Sequence, residues 1–344
     1  MSLIRKIVLY PFATILDFLT SIRNFFFDAG VFKEHRFDYF SIGIGNISLG
    51  GTGKSVLVSY LAEILKDKYV INILSRGYGR KSNGFQIANK SSTPNHLGDE
   101  PFMFYKQNQN IRVAVCNSRR EGMSRLIESI NKNLKNIFIL DDLYQHRWVK
   151  PNIMILLTEY SKPFFKDHLF PSGNLRESRK SSSRADIIIV TKCPMDLSID
   201  QKEKFISELN ANLKQKVFFS KIEYNEYIFG RKKKLPINIL KRVPFTLVTG
   251  IADNTLLVRE LKMKGLTFRT LYYKDHFTYT KKDTNKISSL SDGNLILTTE
   301  KDYYKLQENM NSDLLFYVKI NIQFNEEDSK LLKTLILKKE NQFS

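Results

Sequence analysis

The chain has 344 residues, 42% hydrophobic and 26% charged, a balance that suits about two globular domains and excludes a disordered or fibrous chain. Its formal charge is 54 − 35 = +19, which favours an anionic partner such as nucleic acid, an acidic membrane face or a phosphorylated substrate. Only two cysteines occur, Cys116 and Cys193, each after an apolar run; they exclude a disulfide framework and a zinc spacing, and are expected as buried thiols in a reducing compartment.

The first predicted element is a helix in "MSLIRKIVLYPFATILDFLTSIRNFFFDAGVF". Ile4, Ile7, Val8, Phe12, Ile15 and Leu19 recur at helical spacing, and Phe25, Phe26 and Phe27 extend the apolar surface. Arg5, Lys6, Asp17 and Arg23 interrupt it, and the longest uncharged run, Ile7 to Leu16, falls well short of the roughly 20 residues that span a bilayer. No small-residue cleavage site follows. The helix either packs on its own domain or lies in a membrane interface with its basic residues towards anionic lipid.

Strand–helix alternation comes next. "YFSIGIGNIS" reads as a buried strand, and "KSVLVSYLAEILKD" as the helix after it. Further apolar strands are "YVINILSR", "IRVAVC", "NIFILDD", "PNIMILL" and "ADIIIVTK", with helical or loop segments between them. Near-continuous apolar strands of this kind predict a parallel sheet covered on both faces. The serine cluster at 181–183 is expected as a mobile surface loop. A strand-like stretch and a basic, Pro-containing turn near 215–240 mark a junction. Beyond it the style repeats in "PFTLVTGIA", "TLLVRELKMKG", "TFRTLYYKDH", "NLILTTEKD" and "LLFYVKINIQF". The predicted fold is α/β: a P-loop NTPase-like α/β/α domain with a mostly parallel sheet over 37–220, a second, smaller α/β domain over 221–344, and an N-terminal amphipathic region over 1–36.

Between the first strand and helix stands "GNISLGGTGKS". The strict phosphate-loop pattern G-x-x-x-x-G-K-[ST] fails at its first position, Ser48. The chemistry survives: Gly50, Gly51 and Gly53 let the backbone N–H groups of Ser48, Leu49, Thr52 and their neighbours converge on phosphate, and the following helix N-terminus adds its dipole. Lys54 reaches β- and γ-phosphates, and Ser55 ligates Mg²⁺. Asp141 and Asp142, after another buried strand, are the expected metal-side carboxylates, with Gln145 and His146 on the rim. Leu49 sits where partition-type ATPases carry a lysine, and Pro194 in "VTKCP" replaces the guanine-reading aspartate of GTPases. Arg76 of "SRGYGR", in a glycine-rich loop after a strand, suits phosphoryl transfer, and Arg176 of "FPSGNLRES" suits phosphate clamping. Asp99 of "GDEP" suits a general base, or else a helix cap; His276 of "YKDHFTY" follows a strand.

In order, "GNISLGGTGKS", "SRGYGR", "GDEP", "DDLYQHR", "FPSGNLRES", "DHFTY" and "TTEKDYYKL" resemble the tetraacyldisaccharide 4′-kinases, the lipid A kinases of Gram-negative bacteria. That family also carries a small hydroxyl residue at the position of Ser48. It usually reads Asp-Asp-Gly-Phe-Gln-His, whereas Leu143 and Tyr144 stand here. The resemblance implies transfer of the γ-phosphate of ATP, with Mg²⁺, to the 4′-hydroxyl of an acylated glucosamine disaccharide 1-phosphate, giving lipid IVA. It implies two α/β/α domains with a cleft, and peripheral contact with the anionic cytoplasmic face of the inner membrane rather than with nucleic acid. It casts Asp99 as base with His276 as partner, Lys54 and Ser55 on ATP and metal, and Arg76, Arg119 and Arg176 as phosphate-holding candidates. The rival class is a P-loop ATPase that couples hydrolysis to a protein or nucleic-acid partner.

Overall fold

The computed structural model describes residues 8–108 and 110–343. Ile4, Arg5, Lys6 and Ile7 of the expected N-terminal helix lie outside the described residues. The chain divides into two compact units that are not contiguous in sequence. The first gathers the chain up to Arg76, then Asn110–Ile222, then Ile322 onward; the second gathers Gly77–Gln109 and Glu223–Asn321.

The first unit opens with α1 (Tyr10–Asp28), which buries Ala13 and Phe27. Its sheet is built on β1 (Ser41–Asn46), β2 (Val70–Ser75), β4 (Arg112–Val115), β5 (Asn136–Leu140), β6 (Ile153–Glu159), β7 (Ile187–Thr191) and β8 (Lys216–Phe219), in the order β4-β2-β5-β1-β6-β7-β8. All neighbours pair in parallel. β1, β5 and β7 are buried along their whole length, which is why their sequences are unbroken apolar runs instead of alternating ones. α2 (Lys54–Leu65), α5 (Arg119–Glu128) and α6 (Ile199–Leu209) follow β1, β4 and β7. α6 begins in a capping box between Ser198 and Gln201.

Contiguity assigns the last helix, α10 (Glu326–Phe343), to the second half, but it belongs to the first unit. It buries Leu332 and Ile336, its Glu340 accepts from Tyr69 Oη at 2.7 Å, and Phe343 meets the Phe40 ring at 6.0 Å. Its amphipathic stripe fixes what kind of surface it needs, and only the assembled sheet supplies one. The serine cluster also departs from expectation: residues 179–184 form a 3₁₀ turn in which Ser181 is buried and its carbonyl accepts Tyr144 Oη at 2.6 Å.

The second unit holds β3 (Gln86–Ile87), α3 (Pro94–Leu97) and α4 (Asp99–Gln107) from its first segment. From its second come β9 (Lys221–Gly230), β10 (Lys234–Pro236), β11 (Phe245–Thr249), β12 (Arg269–Tyr272), β13 (Leu295–Thr299) and β14 (Leu315–Gln323). Their order is β10-β9-β14-β13-β11-β12. The strands β12, β11, β13 and β14 pair in parallel; the basic turn near the junction is the antiparallel β9–β10 hairpin. α7 (Thr255–Met263), α8 (Lys281–Ser291) and α9 (Glu300–Gln307) complete it.

Candidate functional site

The carboxyl end of β1 leads directly into the phosphate loop. Gly45 meets the following strand connection so closely that an added Cβ would lie 2.8 Å from Tyr144 N, so no larger residue fits there. Asn46, fully buried, organises the loop: its Nδ2 donates to Ser48 O at 2.7 Å and to Thr52 Oγ1 at 2.9 Å, while its Oδ1 accepts from Lys54 Nζ at 3.1 Å. Leu49 N donates to Asn174 O at 2.6 Å, and Thr191 Oγ1 donates to Thr52 O at 2.9 Å. Gly50 and Gly53 take φ of 106° and 89°, values that favour glycine. Gly53 then starts α2, so Lys54 and Ser55 occupy the helix N-terminus where an anion is stabilised.

Lys54 Nζ is also 3.3 Å from Asp142 Oδ1, and Arg176 Nη1 is 3.3 Å from Asp142 Oδ2. Burial works against an ionised Asp142, but the charges of Lys54, Arg176 and Arg119 outweigh it and hold the carboxyl below its usual range. Asp142 carries the turn's backbone strain, with φ at 47°. The missing family glycine at Leu143 therefore does not break the turn: among the described non-glycine residues of this turn the left-handed conformation falls on Asp142, and Leu143 and Tyr144 are free to pack, both almost fully buried. Asp141 is buried and accepts Ser75 Oγ at 2.8 Å. Gln145 Nε2 donates to Asn46 O at 2.9 Å and its Oε1 accepts from Arg176 at 3.4 Å.

The three arginine candidates separate. Arg176 faces the loop, and Arg76 is exposed. Arg119 is 2% exposed and donates to the carbonyls of Cys116 at 2.9 Å and Asp141 at 2.8 Å. Burial brings its pKa down to about 10, with Asp141 and Asp142 opposing the fall. Two of its nitrogens, Nη1 and Nη2, thus brace the backbone at Cys116 and at the acidic turn.

His146 is driven down to about 4, first by burial and then by the charges of Arg119 and Arg76. A histidine that stays neutral when folded takes up its proton only on unfolding. Its stabilising effect is complete above the unfolded value of 6.5 and declines as pH falls from there towards about 4. Urea unfolding at pH 7 and pH 5 is expected to show the wild type losing on the order of 1 kcal/mol more stability than His146→Gln, after allowing for the partial exposure of the ring. Equal losses would contradict this.

The second unit assembles its own constellation. Gly98, at φ 89°, turns the chain into α4, and Asp99 is its first residue. Asp99 Oδ2 lies 3.1 Å from His276 Nδ1 and 3.1 Å from Lys305 Nζ. Burial raises the Asp99 pKa, but the His276 hydrogen bond and Lys305 reverse that and leave the carboxyl below its ordinary value. An ionised Asp99 only accepts, so His276 Nδ1 carries the shared hydrogen. His276 is held at φ 56°, with its N–H donating to Asp275 Oδ1 at 3.0 Å; such strain persists where surroundings enforce it. Lys305, buried, also meets Asp302 Oδ1 at 3.0 Å and donates to Phe277 O at 3.1 Å. Asp302 in turn accepts Gly250 N and Thr299 Oγ1, each at 2.8 Å.

Two site groups were not singled out from sequence, Asn46 and Lys305. Asn46 had a signal, an amide at the end of an otherwise apolar strand. Lys305 lies on α9 in "TTEKDYYKL", where its spacing from Asp302 puts both on one helical face.

A sequence model of the family described as Tetraacyldisaccharide-1-P 4′-kinase matches residues 5–340. A tetraacyldisaccharide 4′-kinase of Flavobacterium psychrophilum is 44% identical over 98% of this chain and 97% of its own length. Another, of Flavobacterium johnsoniae, is 40% identical over 94% of each. Among solved structures, the "apo" form of LpxK from Aquifex aeolicus in complex with ATP matches with a TM-score of 0.79 at 29% identity, covering 97% of this chain and 99% of that one.

Proposed function

The chain belongs to the tetraacyldisaccharide-1-P 4′-kinase family, and from that premise we propose that it transfers the γ-phosphate of ATP to the 4′-hydroxyl of tetraacyldisaccharide 1-phosphate to form lipid IVA, a step of lipid A biosynthesis. The observation that carries this reading is the loop of Ser48 to Ser55, wired through Asn46 to Lys54 and through Lys54 to Asp142. Backbone N–H groups of Gly50, Gly51 and Gly53 cradle the phosphates, in a loop whose shape the Leu49 and Thr52 backbone bonds hold; Lys54 meets the charge that grows on the transferring group. Arg176 and Arg76 hold phosphate oxygens, with Gln145 steadying Arg176.

Ser55, Asp141 and Asp142 would hold Mg²⁺, an oxygen-only donor set that suits a hard cation. Among the described residues no three His, Cys, Asp or Glu side chains form a metal cluster, as fits an ion that completes its shell with phosphate and water. When bound, the ion neutralises phosphate charge. In the second unit Asp99, kept ionised by His276 and Lys305, accepts the proton of the acceptor hydroxyl. As that O–H bond breaks, the oxygen bonds to phosphorus, the bridging P–O bond breaks and ADP leaves. A low-basicity carboxylate suffices because the transition state is loose and asks for little nucleophile activation. Radiolabelled ATP offered with a lipid A precursor should yield labelled lipid; release of free phosphate without labelled lipid would favour a partner-coupled ATPase.

The protein sits peripherally at the cytoplasmic face of the inner membrane. Supporting this, Phe12, Ile15, Phe18, Leu19 and Phe25 on α1 are each more than half exposed, and among the described residues no helix is long and apolar enough to cross a membrane. Amphipathic helices of this kind lie in the interface, and the net positive charge favours anionic lipid. In the full-length protein, Phe12→Ser with Phe18→Ser is expected to weaken liposome flotation at least about tenfold while leaving Tm unchanged, since each buried phenylalanine contributes roughly 1.5–3 kcal/mol. Undiminished flotation would remove α1 from the membrane contact.

A further inference from the structure

The two halves of α1 have different surroundings. Its outer half exposes Phe12, Ile15, Phe18 and Leu19, whereas from Arg23 onward two loops of the same unit grip one side of it. One grip is Arg147, whose guanidinium donates to Asp28 Oδ1 at 2.7 Å, Glu34 Oε1 at 2.8 Å and Asn24 O at 3.2 Å. The other is Glu177, 1% exposed. Its Oε2 accepts from Asn24 Nδ2 at 3.3 Å and from Arg184 Nη2 at 2.5 Å, and its Oε1 faces Arg23 Nη2 at 3.7 Å. A carboxylate this deep is tolerated only when paired, so its partners on α1 help to keep its own segment in place.

Both grips adjoin groups of the nucleotide loop. Arg147 lies five residues after Asp142 and directly follows His146. Glu177 directly follows Arg176, whose N–H donates to Ile47 O at 2.6 Å and whose guanidinium meets Asp142. Two residues before Arg176, Asn174 and Leu49 are joined through the bond already described. The segment 174–177 is thus held by α1 on one side and by the phosphate loop on the other.

We propose that α1 is a structural arm of the nucleotide site, with Glu177 as the positioning residue through which Arg23 and Asn24 hold Arg176 at the phosphate loop. The inference rests on the reading of Arg176 as a phosphate ligand. It gives α1 a second role besides membrane contact: the exposed face serves lipid, and the inner face serves ATP.

Steady-state kinetics on the full chain, varying ATP and lipid acceptor separately, tests it. Arg23→Met with Asn24→Ala leaves the Glu177–Arg184 pair intact. It is expected to raise KM for ATP about fivefold or more, the loss of charge-assisted contacts, with kcat, acceptor KM, flotation and Tm little changed. Glu177→Gln should act in the same direction; should it fail to fold, the helix-side variant carries the test alone. Arg176→Ala should raise KM for ATP by itself, and the helix-side changes should then add nothing, as coupled residues do. An unchanged KM for ATP in Arg176→Ala would overturn the phosphate role of Arg176. A raised KM there, with the helix-side variant within about twofold of wild type, would overturn the coupling alone. Parallel rises in both KM values with a lowered Tm would reduce these contacts to general stability and overturn it too.

Discussion

Lys54→Ala is expected to lower kcat by at least about 10²–10³-fold, the cost of removing one preorganised donor from a developing charge. The side chain is only 13% exposed and its Nζ is positioned by Asn46 Oδ1 and Asp142. Its charge therefore acts through a partly desolvated space, and no solvent rearrangement is needed when the phosphoryl group moves. A second consequence follows from Asp142. Lys54 is the foremost cation holding that carboxyl low, so its loss raises the Asp142 pKa and shifts the acid limb of activity to higher pH. Arginine at this position should not restore activity, because its planar fork differs from a compact ammonium in the space beside Asn46. Single-turnover transfer to the lipid acceptor is the measurement; near-normal turnover in Lys54→Ala would sink the assignment of the phosphate loop.

Asp99→Ala is the second large effect, expected to reduce kcat about 10²–10⁴-fold, the usual contribution of a positioned acid or base. ATP affinity should change little, because the substitution leaves the phosphate loop, Lys54 and Arg176 untouched. A collapse of ATP binding with persistent turnover of the bound nucleotide would instead make Asp99 a metal-side residue. The substitution also has a signed effect on stability. The folded pKa of Asp99 is depressed, so its ion pairs stabilise the fold above the unfolded value and that stabilisation is lost as pH falls through the folded one. The alanine variant should accordingly show a flatter decline of stability on acidification. Lys305 keeps Asp302 as a partner, so the variant should remain folded at neutral pH.

Much of the first unit was legible in the sequence because its signals are local. Parallel strands buried on both faces must be apolar throughout, so β1, β5, β6 and β7 stand out as "SIGIGN", "NIFIL", "IMILLTE" and "IIIVT". The ends of those strands mark the places where loops gather, so Lys54 and the Asp141–Asp142 pair could be found from spacing. Leu143 and Tyr144 were a local departure whose effect was not legible: whether a turn tolerates them depends on which residue takes the left-handed conformation, and Asp142 does. Arg119 illustrates the limit in another way. The resemblance makes it a phosphate-holding candidate, and only the packing around it shows its burial and its bonds to two backbone carbonyls.

By itself, the sequence determined the nucleotide chemistry, since a glycine-rich turn, a lysine and a helix N-terminus act within a dozen neighbouring residues. It also determined the class of fold, because burial on both faces leaves a continuous apolar pattern. Only the tertiary structure decided the rest. Asp99 and His276, 177 positions apart, meet at hydrogen-bond distance, and Lys305 arrives from a third element to share the same carboxylate oxygen. Helix α10 leaves the half of the chain it follows and packs on the first unit. Glu177 finds a partner on α1, Asn24, that precedes it by 153 positions. Contacts of such separation depend on which surfaces remain unburied after each unit folds, and residue spacing carries no record of that.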